Sequence, residues 1–228
     1  KEIWSAPLSK SGAPDPSSTP TLDGDRLYAL GAHGDLVCLS IESGKEVWRA
    51  SYTGDFGGKI PIWKYCESPL VDGDRLIGTP GGSKATLAAF NKLTGKVEWS
   101  CLVPEGGTGD DKGGYASPVI SNGGGVKQYV QLTGRGVVGV RASDGKLLWR
   151  YAGVINGTAN IPTPIAVDNY VICSTGYGKG TALLELSKDG DGVAAKEVWF
   201  KKGNELQNHH GGMVRVGDYL YFGHGHNN

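Results

Sequence analysis

The sequence predicts an all-β fold, a β-propeller of four-stranded antiparallel blades. Three observations predict it. Trp4, Trp48, Trp99, Trp149 and Trp199 are separated by 44, 51, 50 and 50 residues. A second marker keeps step: Thr19-Pro20, Ser68-Pro69, Ser117-Pro118 and Thr163-Pro164 recur every 46 to 49 residues, with Gly211-Gly212 in the fifth place. Glycine supplies 38 of the 228 residues, more than twice its usual share of ~7%. The glycines are spread between short apolar runs, as short strands joined by tight turns require. Two independent markers at one period define a repeat of about 50 residues.

Within the first repeat, SSTPTLDG predicts a short strand and turn, and DRLYALGAHG a second strand. DLVCLSIESG gives a third strand with its turn, and KEVWRA a fourth. Leu27 and Ala29, then Leu36 and Cys38, alternate with the period of two that a strand imposes, and Asp-Gly and Ser-Gly pairs mark the turns. The second copy reads ESPLVDG, DRLIGTPGG, TLAAFNKLTG, KVEWSC; the third reads ASPVISNGG, KQYVQLTGRG, VVGVRASDG, KLLWRY. Four strands in each repeat make one propeller blade. The repeats fall at approximately 17–50, 66–101, 115–151 and 161–201, with a partial copy at 209–228, in one domain over residues 1–228. About four complete blades with partial blades at both ends are therefore expected. A closed ring of five is the alternative.

Each Trp lies on the last strand of its repeat, three residues after a lysine, in KEIW, KEVW, KVEW, KLLW and KEVW. The five are expected to be structural, each indole covering the joint between neighbouring blades and burying on the order of 200 Å². The lysine opens an outer strand, where charge discourages edge-to-edge pairing. Six residues before the turn glycine stand Cys38, Ala89 and Gly139, small enough to leave room for an indole. The fourth copy departs. Glu185 takes the small position and the turn is stretched to DGDGVAAK, so its packing is expected to be rearranged.

Composition excludes several functions. Lys plus Arg equals Asp plus Glu, 23 each, so nothing in the net charge attracts nucleic acid or an anionic membrane. No apolar run approaches the ~20 residues of a membrane helix. Cys38, Cys66, Cys101 and Cys173 are far apart and read as free thiols. GGSKAT and GYGKGT resemble a phosphate loop, but neither fits GxxxxGK[ST] and both join strands. There is no GxSxG motif.

The pattern Leu-x-small-Leu followed by Ser/Thr/Asp-Gly-Lys-x-x-Trp resembles the tryptophan-docking repeat of the pyrroloquinoline-quinone-type propellers, over essentially the whole chain. That resemblance implies a ring of seven or eight blades, of which this chain would be half, and a periplasmic or secreted bacterial protein. Two branches share the repeat. One comprises quinoprotein alcohol dehydrogenases, which hold the quinone with calcium beside a catalytic carboxylate. The other comprises cofactor-free propellers similar to the lipoprotein of the outer-membrane β-barrel assembly machine. The family's vicinal disulfide over the quinone is missing, since no Cys-Cys occurs here. The favoured reading is a non-catalytic scaffold without cofactor or catalytic residue. The alternative is a dehydrogenase fragment using pyrroloquinoline quinone and calcium.

Ligands or a protein partner are expected at the loops between blades, at 50–66, 101–116, 150–161 and 200–211. Those loops and the residues beside them supply Asp55, Lys59, Trp63, Tyr65, Glu67, Tyr115, Asn160, Asn208, His209 and His210 as candidates, with Asp110, Asp111 and Lys112 also present. Trp63 is the one Trp outside the repeat register. His209, His210, His224 and His226 fall within 18 residues, and a hairpin could bring them together for a metal. No carboxylate or cysteine stands among them, and they read rather as exposed or hydrogen-bonded loop side chains.

Overall fold

The computed structural model describes residues 2–9, 18–104 and 113–225. Asp110, Asp111, Lys112 and His226 lie outside them. The first sheet contains β1 (Thr21–Asp23), β2 (Arg26–Leu30), β3 (Asp35–Ser40) and β4 (Glu46–Ser51) in that order. A one-turn helix, α1 (Tyr52–Phe56), follows β4. The second sheet is β5 (Leu70–Asp72), β6 (Arg75–Gly78), β7 (Leu87–Asn91) and β8 (Val97–Cys101). The third is β9 (Val119–Ser121), β10 (Gln128–Thr133), β11 (Gly136–Arg141) and β12 (Leu147–Tyr151). The fourth is β13 (Ile165–Val167), β14 (Tyr170–Thr175), β15 (Gly180–Asp189) and β16 (Gly192–Lys202). A two-stranded sheet, β17 (Val214–Val216) with β18 (Tyr219–Tyr221), comes last. Neighbouring strands are antiparallel throughout, which is the predicted propeller blade.

The apolar core sits between blades rather than inside one. Tyr28, Leu36 and Cys38 of the first blade meet Leu76, Ala88 and Phe90 of the second. Ile77 and Leu87 meet Tyr129 and Val138, and Val130 and Val137 meet Val171 and Ala182. A blade alone would leave both sheet faces wet, so each one depends on its neighbours.

The tryptophan repeat now has its physical reason. A Cβ on Gly44 would lie 2.6 Å from the ring of Trp4, one on Gly95 2.6 Å from Trp48, and one on Gly145 2.6 Å from Trp99. Each indole lies flat on the turn glycine of the next blade. Its Nε1 donates to a carbonyl of that blade: Ile41 at 2.7 Å, Lys92 at 2.9 Å and Ala142 at 3.2 Å. Those glycines also have φ of +67, +70 and +76°, which no other residue type adopts cheaply. A β-bulge re-aims the ring in every blade. Cys38 pairs with Trp48 but Leu39 with Glu46, leaving Val47 unpaired; Glu98, Leu148 and Val198 are displaced in the same way.

The Ser/Thr-Pro marker works near the other end of each blade. Thr19 N donates to Ser68 Oγ at 3.2 Å, Ser68 N to Ser117 Oγ at 2.9 Å, and Ser117 N to Thr163 Oγ1 at 3.0 Å. One hydroxyl per repeat thus satisfies the backbone of the blade before it.

The fourth blade is rearranged, as expected, by the stretched turn and not by Glu185. Leu183, not Glu185, pairs with Trp199, and Glu185 faces Lys196. The β15–β16 hairpin extends to Asp189–Gly192, so no docking turn stands beneath Trp149. That indole folds back onto its own blade, against Gly139, and donates to Gln128 Oε1 at 2.5 Å. Trp199 is left half-buried.

Candidate functional site

The loop from β4 to β5 begins with α1, whose cap is local: Ser51 Oγ accepts from Gly54 N at 3.0 Å, and Gly57 closes the turn at φ +67°. Tyr52 and Phe56 anchor it in the core. Further along, Tyr65 is fully buried and its hydroxyl donates to Pro80 O at 2.9 Å. Between these anchors Lys64 takes φ +67°, and Trp63 projects outward, 50% exposed.

Trp63 meets Tyr115, from the loop before β9, with ring centroids 5.8 Å apart at 64°. Tyr115 N donates to Asn160 O at 3.3 Å, tying that loop to the one before β13. There Asn156 Oδ1 accepts from Thr158 N at 2.8 Å and Ala159 N at 2.7 Å, while the Asn160 side chain closes back on Asn156. This knot presents Ala159, Ile161, Pro162 and Thr163 to the same space. The fourth wall is the loop after β16. Asn208 N donates to Ser174 Oγ at 2.8 Å, and its side-chain amide to Gly211 O at 2.7 Å, which sets His210, Gly211 and Gly212 along the rim.

These loops line a half-open cavity of about 500 Å³, with Cys66 and Tyr177 completing the lining. Tyr177, in the turn between β14 and β15, has φ +57°. A tyrosine in that left-handed conformation costs roughly 1–2 kcal/mol, and strain of this kind gathers at binding sites. His209 lies edge-on to Tyr177, centroids 4.6 Å apart, and 3.6 Å from the ring of His210.

Of the ten sequence candidates, Trp63, Tyr115 and His210 line this cavity and His209 backs it. Tyr65, Asn160 and Asn208 are buried and hold the loops in place. Asp55, within α1, and Lys59, just after it, are exposed, and Asp55 Oδ2 accepts from Ser51 N. Glu67 is fully buried away from the cavity. Its Oε1 accepts from Thr79 N at 2.6 Å and the Tyr52 hydroxyl at 2.9 Å, and its Oε2 faces Gln131 Nε2 at 3.4 Å. Burial pushes its pKa up from 4.5 to about 7, against the pull of those hydrogen bonds. Cys66, Ile161, Pro162 and Tyr177 were missed. GYGKGT, which resembles a phosphate loop, is the hairpin that carries Tyr177.

Among the described residues the lining holds no Asp, Glu, Lys or Arg. Calcium takes six to eight oxygen ligands, carboxylates foremost, and Glu67 is already occupied by three donors. These residues do not fit a calcium-held quinone. Among the described residues no group of three His, Cys, Asp or Glu side chains could hold a metal ion. His224 Nδ1 instead accepts from Gln207 N at 3.2 Å. No described helix is long and apolar enough to cross a membrane.

A family model described as outer membrane protein assembly factor BamB matches residues 1–228. No curated protein matches the sequence. Among solved structures, BamB from Moraxella catarrhalis is 15% identical with a TM-score of 0.43, over 90% of this chain and 68% of that one. A quinohemoprotein alcohol dehydrogenase from Comamonas testosteroni is 14% identical with a TM-score of 0.49, over 78% of this chain and 34% of the enzyme. The computationally designed Ika4 protein is 12% identical with a TM-score of 0.47, over 86% of this chain and all of that one.

Proposed function

The chain belongs to the family of the outer membrane protein assembly factor BamB, and from that premise we propose that it is a non-catalytic, extracytoplasmic β-propeller that binds protein partners at its inter-blade loops. The carrying observation is the cavity beneath Trp63, which is ring-lined and, among the described residues, has no Asp, Glu, Lys or Arg. Among the described lining residues none is a carboxylate that could serve as a base or a calcium ligand. Apolar and aromatic surface held by rigid blades suits recognition instead. The blades are fixed to one another by docked indoles and hydroxyl bonds, so the loops keep their relative positions when a partner arrives. The family description, outer membrane protein assembly factor, supports a partner that works in outer-membrane protein assembly, outside the cytoplasm.

The test is site-specific photo-crosslinking in cells that produce the protein. A photoreactive amino acid is placed at Trp63 on the cavity rim, or at Val97 on outer strand β8, where the side chain is 51% exposed. The expected result is a discrete adduct from one of these positions, identified by mass as an outer-membrane assembly protein. Absence of any adduct from both would contradict the reading.

A further inference from the structure

The cavity limits what can enter it. Trp63, Tyr115 and Tyr177 reach it from three separate loops, and two of the three non-glycine residues with positive φ among the described residues, Lys64 and Tyr177, flank it. Backbone strain is therefore retained where these rings are presented. Trp63 is half in water, whereas Trp4, Trp48 and Trp99 serve the joints between blades and Trp149 folds onto its own. Among the described lining residues there is no Asp, Glu, Lys or Arg, so apart from the His210 imidazole an ion that sheds its hydration gains no charged partner. The rim at Gly212 is open, since a Cβ added there would meet nothing within 4 Å, so a ligand backbone can approach it closely.

Resting on the protein-binding reading above, we infer that this cavity takes an uncharged, extended peptide segment of the partner and seats one aromatic side chain of it against Trp63, Tyr115 and Tyr177. Edge-to-face and offset contacts with three rings would supply the attraction. A cavity of about 500 Å³ is within the range of sites that engulf one large side chain with its flanking backbone. Specificity then comes from the ring, because among the described lining residues no Asp, Glu, Lys or Arg offers a fixed charge and His210 is the one ionisable imidazole.

Cys66 provides the reporter. It lines the cavity and is half-buried, whereas Cys38, Cys101 and Cys173 are buried. The purified protein is alkylated with N-ethylmaleimide, and Cys66 modification is followed by peptide mass. The probe is the capped peptide N-acetyl-Gly-Trp-Pro-Gly-amide. Controls are the same peptide with glutamate for both glycines, and N-acetyl-Gly-Ala-Ala-Gly-amide. The neutral indole peptide is expected to slow Cys66 alkylation at least about fivefold at saturation, with little protection from either control. Trp63→Ala and Tyr177→Gly should each abolish that protection; the first side chain is half exposed and the second substitution relieves its own φ, so both variants should fold. No protection by the indole peptide, or equal protection by all three peptides, would overturn the inference. If a crosslinked partner is still captured in that case, the protein-binding reading stands without this site. Quinone uptake with dye reduction would remove both.

Discussion

Glu67 joins three blades: it accepts from Tyr52 at the end of the first blade and Thr79 of the second, and faces Gln131 of the third. Replacing it with glutamine keeps an acceptor for Tyr52 and Thr79 and removes the charge. Desolvation raises the carboxyl pKa from 4.5 to about 7 in the folded chain, so the folded state holds a proton that the unfolded state releases. The sign follows from linkage. The stabilisation is complete below pH 4.5, falls as pH rises toward 7, and is flat above it. At ~1.4 kcal/mol per pH unit, the interval from 4.5 to about 7 is worth about 3 kcal/mol. Asp72 and Asp191 are held below the usual carboxylate range by Lys127 and Tyr129 and by Lys146 and Arg141, so their contributions disappear only in more acidic solution. Urea unfolding from pH 5 to pH 8 separates these windows. The wild-type midpoint should fall across this range, and Glu67→Gln should flatten that fall while changing stability at pH 5 by about 1 kcal/mol. A wild-type midpoint that rises with pH, or one parallel to the variant, would refute the buried protonated carboxyl.

Gly95→Ala should cost about 3 kcal/mol in thermal or urea unfolding, because its Cβ would strike Trp48 at 2.6 Å and φ is +70°. Gly73→Ala, with φ +59° and open space around it, should cost only about 1 kcal/mol; equal losses would mean that the indole does not rest on Gly95. Ser117→Ala removes the acceptor of Ser68 N and should cost about 1 kcal/mol, read from the same melts. Of the four thiols, only Cys66 should react with maleimide in native protein, the other three needing denaturant; Cys38 and Cys101 are further slowed because burial pushes their pKa up to about 11.

The joints between blades were legible because they require the same residue types each time. An indole on a positive-φ glycine leaves Gly-Lys-x-x-Trp in the chain, and a shared hydroxyl leaves Ser/Thr-Pro. The bulge at Val47, Glu98, Leu148 and Val198 was not legible, since four unlike side chains serve one backbone irregularity. The Trp149 exception was foreshadowed only by the long DGDGVAAK turn. Loop position found Trp63, Tyr115 and His210. It also selected Glu67, Asn160 and Asn208, because a polar residue reads the same whether it faces a ligand or satisfies the backbone of its own loop. Tyr177 escaped notice in a glycine-rich turn, where the tyrosine itself takes the left-handed conformation.

The central claim is that these blades bind and do not catalyse. The most direct test is titration of the folded protein with pyrroloquinoline quinone and calcium, followed by visible absorbance and alcohol-dependent dye reduction. The account predicts no change in the quinone spectrum and no turnover. Saturable uptake with dye reduction would contradict it, and Glu67 would then have to leave its three donors to serve as ligand or base.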